Sequence, residues 1–200
     1  MSAAVSISIA VEGITDEAVA VRLVGHAGGQ AGTVYGKAGK SKIRQHIQGY
    51  ENAARRAPWL VLVDLDQDTE CAPVLRSIWV PQPPSLLCFR IAVRAVEAWL
   101  LADRERLASF LGVSQGKLPE QPELLDDPKR SLVDIARASR KSAVRTDMVP
   151  REHSGRSVGP AYTSRLIEFA SQQWRPEVAA RQSESLRRAI ACLRNLVAAP

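Results

Sequence analysis

Apolar and polar positions along the first half of the chain change period several times, from that of a strand to that of a helix. Residues 5–11 alternate apolar and small side chains at the two-residue period of an extended chain. Helical spacing follows from Thr15, a candidate N-cap, to the glycines at 28–29. A short strand near 33–35 and a helix over about 41–55 continue the alternation.

The apolar run at 59–63 predicts a strand that is covered on both faces, as central strands of parallel sheets are. A helix near 71–79 and a strand at 86–93 follow it. Strands that alternate with helices predict an α/β fold: a doubly wound, mostly parallel sheet flanked by helices.

Beyond about residue 94 the strand signals stop and helical periodicity dominates. We interpret 1–103 as an α/β core and 104–200 as a helical, basic extension packed on that core. Within this half the sequence predicts one or two helices over 92–113, a loop at 115–129, helices at 131–140, 160–173 and 183–197, and a mobile connection at 142–160.

Composition places the chain among ordinary globular proteins, with 46% hydrophobic and 24% charged residues. No apolar run is long enough for a membrane span, and the N-terminus lacks a signal-peptide pattern, so a cytoplasmic protein is expected. The three cysteines are scattered, without the spacing of a zinc site or a disulfide framework, and reduced thiols are expected.

The formal charge of +6 arises entirely from residues 104–200, because the first 103 residues carry ten basic and ten acidic side chains. Eight of the basic residues lie between 129 and 156. Such a segment can neutralise nucleic-acid phosphates, although a solvated arginine-rich surface fits the composition equally well. The candidate contacts here are Arg137, Arg140, Lys141 and Arg156.

Carboxylates follow two of the predicted strands. Glu12 comes directly after the first strand, and Asp64 and Asp66 follow the apolar strand at 59–63. Ligands of parallel α/β sheets bind at the carboxyl ends of strands, and side chains two apart on extended backbone point the same way. Neighbouring carboxylates repel unless a cation lies between them, which favours Mg²⁺ or Mn²⁺. Asp16 is a further candidate ligand, although it also suits the first turn of a helix.

The loop "GKAGKSK" offers lysines for phosphate contact. Its glycines do not have the spacing of a nucleotide-binding P-loop. A glycine-lysine loop at the start of a helix can nevertheless hold phosphate. Lys37, Lys40 and Lys42 are therefore candidate phosphate contacts. Asp68 is interpreted as a turn or N-cap residue.

Two stretches, "SIAVEGITDEAVAVRLV" and "WLVLVDLDQD", together resemble the Toprim domain of topoisomerases, bacterial primases and overcoming-lysogenization-defect nucleases. With "GKSKIRQHIQGYENAARRAP", "RIAVRAVEAWLLADRE" and "VGPAYTSRLIEFA", the chain is similar to a family of small bacterial Toprim-like proteins linked to phage defence and encoded beside ATPases. The resemblance implies that Glu12 is the Toprim glutamate and that Asp64 and Asp66 hold metal.

The same resemblance makes Glu97 a further candidate metal ligand and Asp103 a weaker one. Glu97 also lies on an apolar helix face, where Arg90 or Arg94 could pair with it instead of a metal.

These observations predict a Mg²⁺- or Mn²⁺-dependent nuclease acting on DNA or RNA. In it Glu12 binds metal or positions water, and a cation such as Lys40 stabilises the transition state. The alternative is a non-catalytic nucleic-acid-binding or regulatory subunit of a partner ATPase. Phosphoryl or nucleotidyl transfer on a small nucleotide is a third possibility. The sequence leaves open DNA against RNA, one metal against two, and a monomer against a homodimer.

Overall fold

A computed structural model describes residues 4–198 and contains a four-stranded sheet in which all neighbouring strands are parallel. The strands are β1 (Ser6–Val11), β2 (Gln30–Gly36), β3 (Trp59–Asp64) and β4 (Leu87–Ala92). Their order across the sheet is β2-β1-β3-β4. The predicted α/β fold is confirmed.

Helices α1 (Ile14–His26), α2 (Lys40–Ala53) and α3 (Ala72–Trp79) connect successive strands. The rest of the described chain is helical, as predicted. It contains α4 (Val96–Leu101), α5 (Arg104–Leu111), α6 (Pro128–Arg137), α7 (Ser142–Met148), α8 (Tyr162–Gln172), α9 (Pro176–Ala179) and α10 (Glu184–Ala198). Between residues 4 and 198, no helix combines the length and the apolar character needed to cross a membrane.

Two hydrophobic clusters cover the two faces of the sheet. Ile9 of β1 packs in one cluster with α1 and the C-terminal helices, whereas the neighbouring Ala10 packs in the other with α2 and α3. This division follows from the alternation of side chains along a strand. Because Leu193 of α10 belongs to the same cluster as Ile9, the helical half of the chain packs together with α1 on one face of the sheet.

The strand order reverses direction between β1 and β3. From β1 the chain moves outward to β2, and from β3 it moves outward in the opposite direction to β4. In doubly wound sheets, a crevice forms outside the carboxyl ends of the strands at such a point. The carboxylates that follow β1 and β3 therefore lie at the position where this architecture binds ligands.

Several predicted boundaries need correction. The N-cap of α1 is Gly13 and not Thr15, because the helix already begins at Ile14. The strand predicted near 33–35 extends over Gln30–Gly36, since pairing with β1 orders its polar end. The segment 142–160, predicted as a mobile connection, contains α7, which buries Val144 and Met148. Two buried side chains four residues apart stabilise that turn, a pattern too short to recognise in the sequence.

Candidate functional site

The carboxylates of Glu12 and Asp64 are fixed to the ends of adjacent strands. Glu12 follows β1, and its Oε1 accepts a hydrogen bond of 2.8 Å from the backbone N–H of Asp64. Asp64 is the last residue of β3, and its Oδ1 accepts a hydrogen bond of 2.9 Å from the backbone N–H of Val96 at the start of α4. Backbone amides thus hold both side chains at the switch point of the sheet.

Asp16 lies in the first turn of α1 and is only 7% exposed. The backbone N–H groups of Asp16 and Gly13 stabilise its charged form, as in a capping box. Its Oδ1, however, is buried without a hydrogen-bond partner in the described structure. A side chain at Gly13 would bring a Cβ within 2.9 Å of Asp16 Oδ2, which explains the glycine after Glu12.

Glu97 of α4 is 8% exposed and faces the same site. Tyr162 Oη donates a hydrogen bond of 3.4 Å to Glu97 Oε1, and Lys129 Nζ lies 5.8 Å from the centre of the Tyr162 ring. The partners proposed from the sequence, Arg90 and Arg94, are wrong. Arg94 instead donates a hydrogen bond of 3.0 Å to the backbone oxygen of Asp66.

The four residues Glu12, Asp16, Asp64 and Glu97, called the acid cluster below, have raised pKa values. Burial raises the pKa of Glu12 to about 7 and that of Asp16 to about 6, with a further contribution from neighbouring carboxylates. Burial and the charges of Asp16 and Glu97 raise the pKa of Asp64 well above its ordinary value. Burial likewise raises the pKa of Glu97. Positive groups of the protein therefore balance only part of the negative charge that these four carboxylates would carry.

Asp66 takes a different direction from Asp64, and the prediction that both lie on extended backbone is wrong. β3 ends at Asp64, and Asp66 adopts a left-handed conformation with φ of 49°. Its exposed carboxylate lies 2.9 Å from Lys40 Nζ, which also contacts Asp68 at 2.8 Å. Asp68, expected to be a turn or N-cap residue, thus pairs with Lys40 at the turn after β3.

The donor set can be compared with the needs of a hard divalent cation. Between residues 4 and 198, no three histidine, cysteine, aspartate or glutamate side chains are already arranged to hold an ion. Mg²⁺, however, often takes one or two carboxylates and completes its shell with water and substrate phosphate. The buried, unpartnered Oδ1 of Asp16, close to Asp64 and Glu97, fits such a cation.

The three lysines predicted to contact phosphate have different surroundings. Lys40, at the start of α2, is the one beside the carboxylates, where Glu12 and Asp66 act on its charge. Lys37 pairs with Glu17 at 3.2 Å, and Lys42 donates a hydrogen bond to Gln45. Lys40 is thus placed at the site, whereas Lys37 bonds to Glu17 of α1 and Lys42 bonds to Gln45 of its own helix.

The predicted basic contacts of the C-terminal half are distributed differently. Arg137 lies 3.5 Å from Asp134 on α6, and Lys141 Nζ donates hydrogen bonds to the carbonyl oxygens of Ser109 and Phe110 at the end of α5. Arg140 and Arg156 are exposed. Within residues 4–198, no hydrogen bond or ion pair joins Arg137, Arg140, Lys141 or Arg156 to the acid cluster.

Asp103 lies outside the site, so its assignment as a weaker metal ligand is wrong. It is fully buried and caps α5, accepting a hydrogen bond from the backbone N–H of Arg106. Its carboxylate also accepts hydrogen bonds of 3.0 and 2.6 Å from the guanidinium of Arg175. This ion pair ties the start of α5 to the chain before α9.

Sequence reasoning missed Lys129 and Tyr162 as members of the site. Both come from the helical half of the chain, more than 30 residues beyond Glu97. Tyr162 is 2% exposed at the first position of α8, and Lys129 is in the first turn of α6. A tyrosine directly after the "VGPA" turn is a signal for a polar group pointing inward, but not for its partner.

Comparison with models of protein families, with curated proteins and with solved structures found no match for this chain.

Proposed function

We propose that this protein is a Mg²⁺- or Mn²⁺-dependent phosphodiesterase that cleaves nucleic acid at the acid cluster. The observation that carries the proposal is the buried, unpartnered Oδ1 of Asp16, in electrostatic contact with Glu97 at the switch point of a parallel sheet. Burying several carboxylates without a cation is costly, and a function that recruits one accounts for the arrangement.

Asp16 and Asp64 are the residues assigned to hold the ion, with Glu97 beside them. When bound, a divalent cation lowers the pKa of a water molecule and offsets charge on a phosphate group. The backbone N–H of Val96 keeps the Asp64 carboxylate in position. Lys129 and the hydroxyl of Tyr162 favour the charged form of Glu97 and so partly oppose the effect of burial on its pKa.

Glu12 is assigned to proton transfer. Its pKa of about 7 suits a group that takes up a proton from an attacking water near neutral pH. The hydrogen bond from the backbone N–H of Asp64 fixes one carboxylate oxygen. Glu12 is therefore positioned at the end of β1, next to the residue assigned to hold the ion.

Lys40 is assigned to stabilise charge on the reacting phosphate. Burial alone would lower its pKa, but hydrogen bonds to Asp68 and Asp66 raise it above its ordinary value, so the ammonium group stays charged. A fixed cation beside the carboxylates stabilises negative charge as it develops on phosphate oxygens. The position of Lys40 on the first turn of α2 makes it a fixed part of the site.

The resemblance of the chain to Toprim nucleases supports the same assignment. The glutamate after β1 and the aspartate at the end of β3 match that pattern, which has a glutamate after its first strand and an aspartate after a later one. Asp66 departs from the pattern as a direct ligand, because it bonds to Lys40. We assign Asp66 to the positioning of Lys40, and Asp16 to the ligand role.

The test is metal-dependent cleavage by the wild-type protein and by Asp64→Asn. Asparagine can still accept the hydrogen bond from Val96, so the fold is retained while the charge is lost. We expect cleavage of single-stranded DNA or RNA in Mg²⁺ or Mn²⁺, and a decrease of at least about a hundredfold in the variant. The matched control is Asp134→Asn, which neutralises an exposed aspartate on α6.

Equal cleavage by wild type and Asp64→Asn would contradict the proposal. Absence of cleavage by the wild type with every metal and substrate would also contradict it. Binding without cleavage would then favour a regulatory subunit that works with a partner ATPase.

A further inference from the structure

A second feature lies at the free edge of the sheet, beside β4. A cleft of about 630 Å³ opens between α3 and α10 and is bordered by four arginines: Arg76, Arg90, Arg94 and Arg188. Arg76 comes from α3, Arg90 from β4 and Arg188 from α10, and Arg94 follows β4. Four different segments of the chain thus direct guanidinium groups toward one cavity.

The hydrogen-bonding capacity of these arginines is only partly used within the described protein. Arg90 Nε is buried and lacks a hydrogen-bond partner. Arg76 is exposed. Arg94 donates to one backbone oxygen, and Arg188 Nε pairs with Glu184 at 2.7 Å. A guanidinium has five N–H donors, so each of these groups can still bind an anion.

Arg90 and Arg76 also act on the same neighbour, Cys192 of α10. Hydrogen bonds with Cys88 and with the Arg90 side chain, together with the positive charges of both arginines, lower the pKa of Cys192 to about 7. Cationic groups lower a thiol pKa only at short range. Both arginines therefore lie near Cys192, on the α10 side of the cleft.

The acidic side chains of the cleft are largely occupied. The Glu123 carboxylate accepts hydrogen bonds from the hydroxyls of Ser183 and Ser185 and from backbone N–H groups at the start of α10. Glu184 pairs with Arg188 and with Arg187. The remaining acid, Glu70, is exposed at the cleft. The cleft lining thus carries four arginines against three glutamates, of which only Glu70 is without a hydrogen-bond or ion-pair partner in the described structure.

The cleft borders the turn that follows Asp64. Leu65 and Arg94 line it, and the Arg94 guanidinium bonds to the backbone oxygen of Asp66, two residues after Asp64. Its wall also carries Leu124, whose side chain is 75% exposed. An apolar side chain at that position offers a surface for a nucleobase next to the cations that suit its phosphate.

We infer that the arginine cleft binds the backbone phosphates of a single nucleic-acid strand and leads that strand to the acid cluster. This inference rests on the proposed function and names where the substrate lies. It places the backbone contacts at the β4 edge, and not on the basic segment 129–156 that the sequence favours.

The test measures binding in EDTA, so that cleavage does not contribute. Anisotropy of a fluorescein-labelled single-stranded oligonucleotide, as DNA and as RNA, is titrated with wild type and with Arg76→Gln/Arg188→Gln over a range of salt concentrations. Both side chains are exposed, so the fold should be retained, and a thermal melt checks this. We expect about tenfold weaker binding and a salt slope smaller by about 1.4, which corresponds to two lost phosphate contacts on a single strand.

The matched control is Arg55→Gln/Arg56→Gln, with the same charge change. Both side chains are exposed after α2 and precede the start of β3, at the opposite end of the sheet from the acid cluster. A third variant, Arg137→Gln/Arg140→Gln, neutralises the basic segment. The inference predicts that these two pairs keep wild-type affinity within about twofold.

Unchanged affinity and slope in the cleft variant would overturn the inference, and a loss confined to Arg137→Gln/Arg140→Gln would place the strand on the basic segment. The outcome is separate from that of the cleavage test. Cleavage with unchanged binding in the cleft variant refutes the cleft alone, whereas weakened binding without cleavage by the wild type refutes the proposed activity alone.

Discussion

At the scale of single residues, two opposing effects act on the charged carboxylate of Asp16. Its position in the first turn of α1 suits a helix, since a carboxylate there stabilises the helix dipole. Its burial and the neighbouring Glu97 nevertheless raise its pKa to about 6. The charged Asp16 carboxylate therefore stabilises α1 but is itself destabilised by burial and by the negative charge of Glu97. This is the behaviour expected of a proposed cation ligand when no cation is bound.

These pKa values predict how the stability of the metal-free protein depends on pH. Glu12 and Asp16 have ordinary pKa values near 4 and raised values of about 7 and about 6 in the folded protein. Between these limits the folded state binds more protons than the unfolded state, so the free energy of unfolding decreases as the pH rises from about 4.5 to about 7.

Melting temperatures in EDTA across this pH range measure the effect. Asp16→Asn removes one of the two groups, so its melting temperature should decrease less steeply with pH and should exceed that of the wild type at pH 7.5. The exposed control Asp134→Asn should follow the wild type. A wild-type melting temperature that increases across this range would show that the pKa values of Glu12 and Asp16 are not raised in the folded protein.

At the scale of elements, α4 and α5 separate two acids that lie close together in sequence. Glu97 enters the site from α4, whereas Asp103 turns away to cap α5 and pair with Arg175. Both are buried in the same hydrophobic region. Their partners differ: Glu97, a residue of the proposed metal site, accepts a hydrogen bond from a tyrosine hydroxyl, whereas Asp103 pairs with a guanidinium.

Asp103→Ala should destabilise the protein by about 2 to 4 kcal/mol, because it removes the cap of α5 and the charged hydrogen bonds to Arg175, whose partly exposed guanidinium keeps its contact with Glu105. Glu105→Gln removes the other carboxylate of the same arginine, but this one is exposed and should cost about 0.5 kcal/mol or less. Urea denaturation measures both. Below its unfolding transition, Asp103→Ala should still bind Mn²⁺, and a loss of binding would return Asp103 to the list of ligands.

The same elements show what the sequence could and could not predict. β1 could be predicted from its two-residue alternation and β3 from its continuous apolar run, because these patterns have few other interpretations. The strand ends then placed Glu12 and Asp64 correctly. The direction of Asp66 was not readable, because it depends on a left-handed turn and on Lys40, 26 residues away in sequence. The contribution of Lys129 and Tyr162 required the packing of α6 and α8, which no local pattern encodes.

At the scale of the whole molecule, the division of charge has a different meaning from the one its composition suggests. The excess of basic residues lies in the second half of the sequence, yet Arg137 and Lys141 bond groups on their own or neighbouring helices. Three of the four arginines of the cleft come from the electrically balanced first half. Folding thus concentrates positive charge where the net charge of the segment gives no indication of it.

The helical half contributes to the site by covering one face of the sheet. α8 packs on α1 and α10 packs on β4, so Tyr162 reaches Glu97 and Arg188 lines the cleft. The arginine cleft therefore combines residues from both halves of the chain, and the acid cluster, which comes from the first half, is contacted at Glu97 by Tyr162 of the second half. The predicted boundary at residue 103 separates two parts of the sequence, but side chains from both parts contribute to the cleft and to the surroundings of Glu97.

Calorimetric titration with Mn²⁺ is the most direct test of whether the acid cluster holds a divalent cation, because it requires neither substrate nor partner. The account predicts saturable binding by the wild type and by Asp134→Asn, and binding weaker by more than about tenfold in Asp16→Asn. Equal affinity in Asp16→Asn and the wild type, or no binding by a folded wild-type protein, would contradict it.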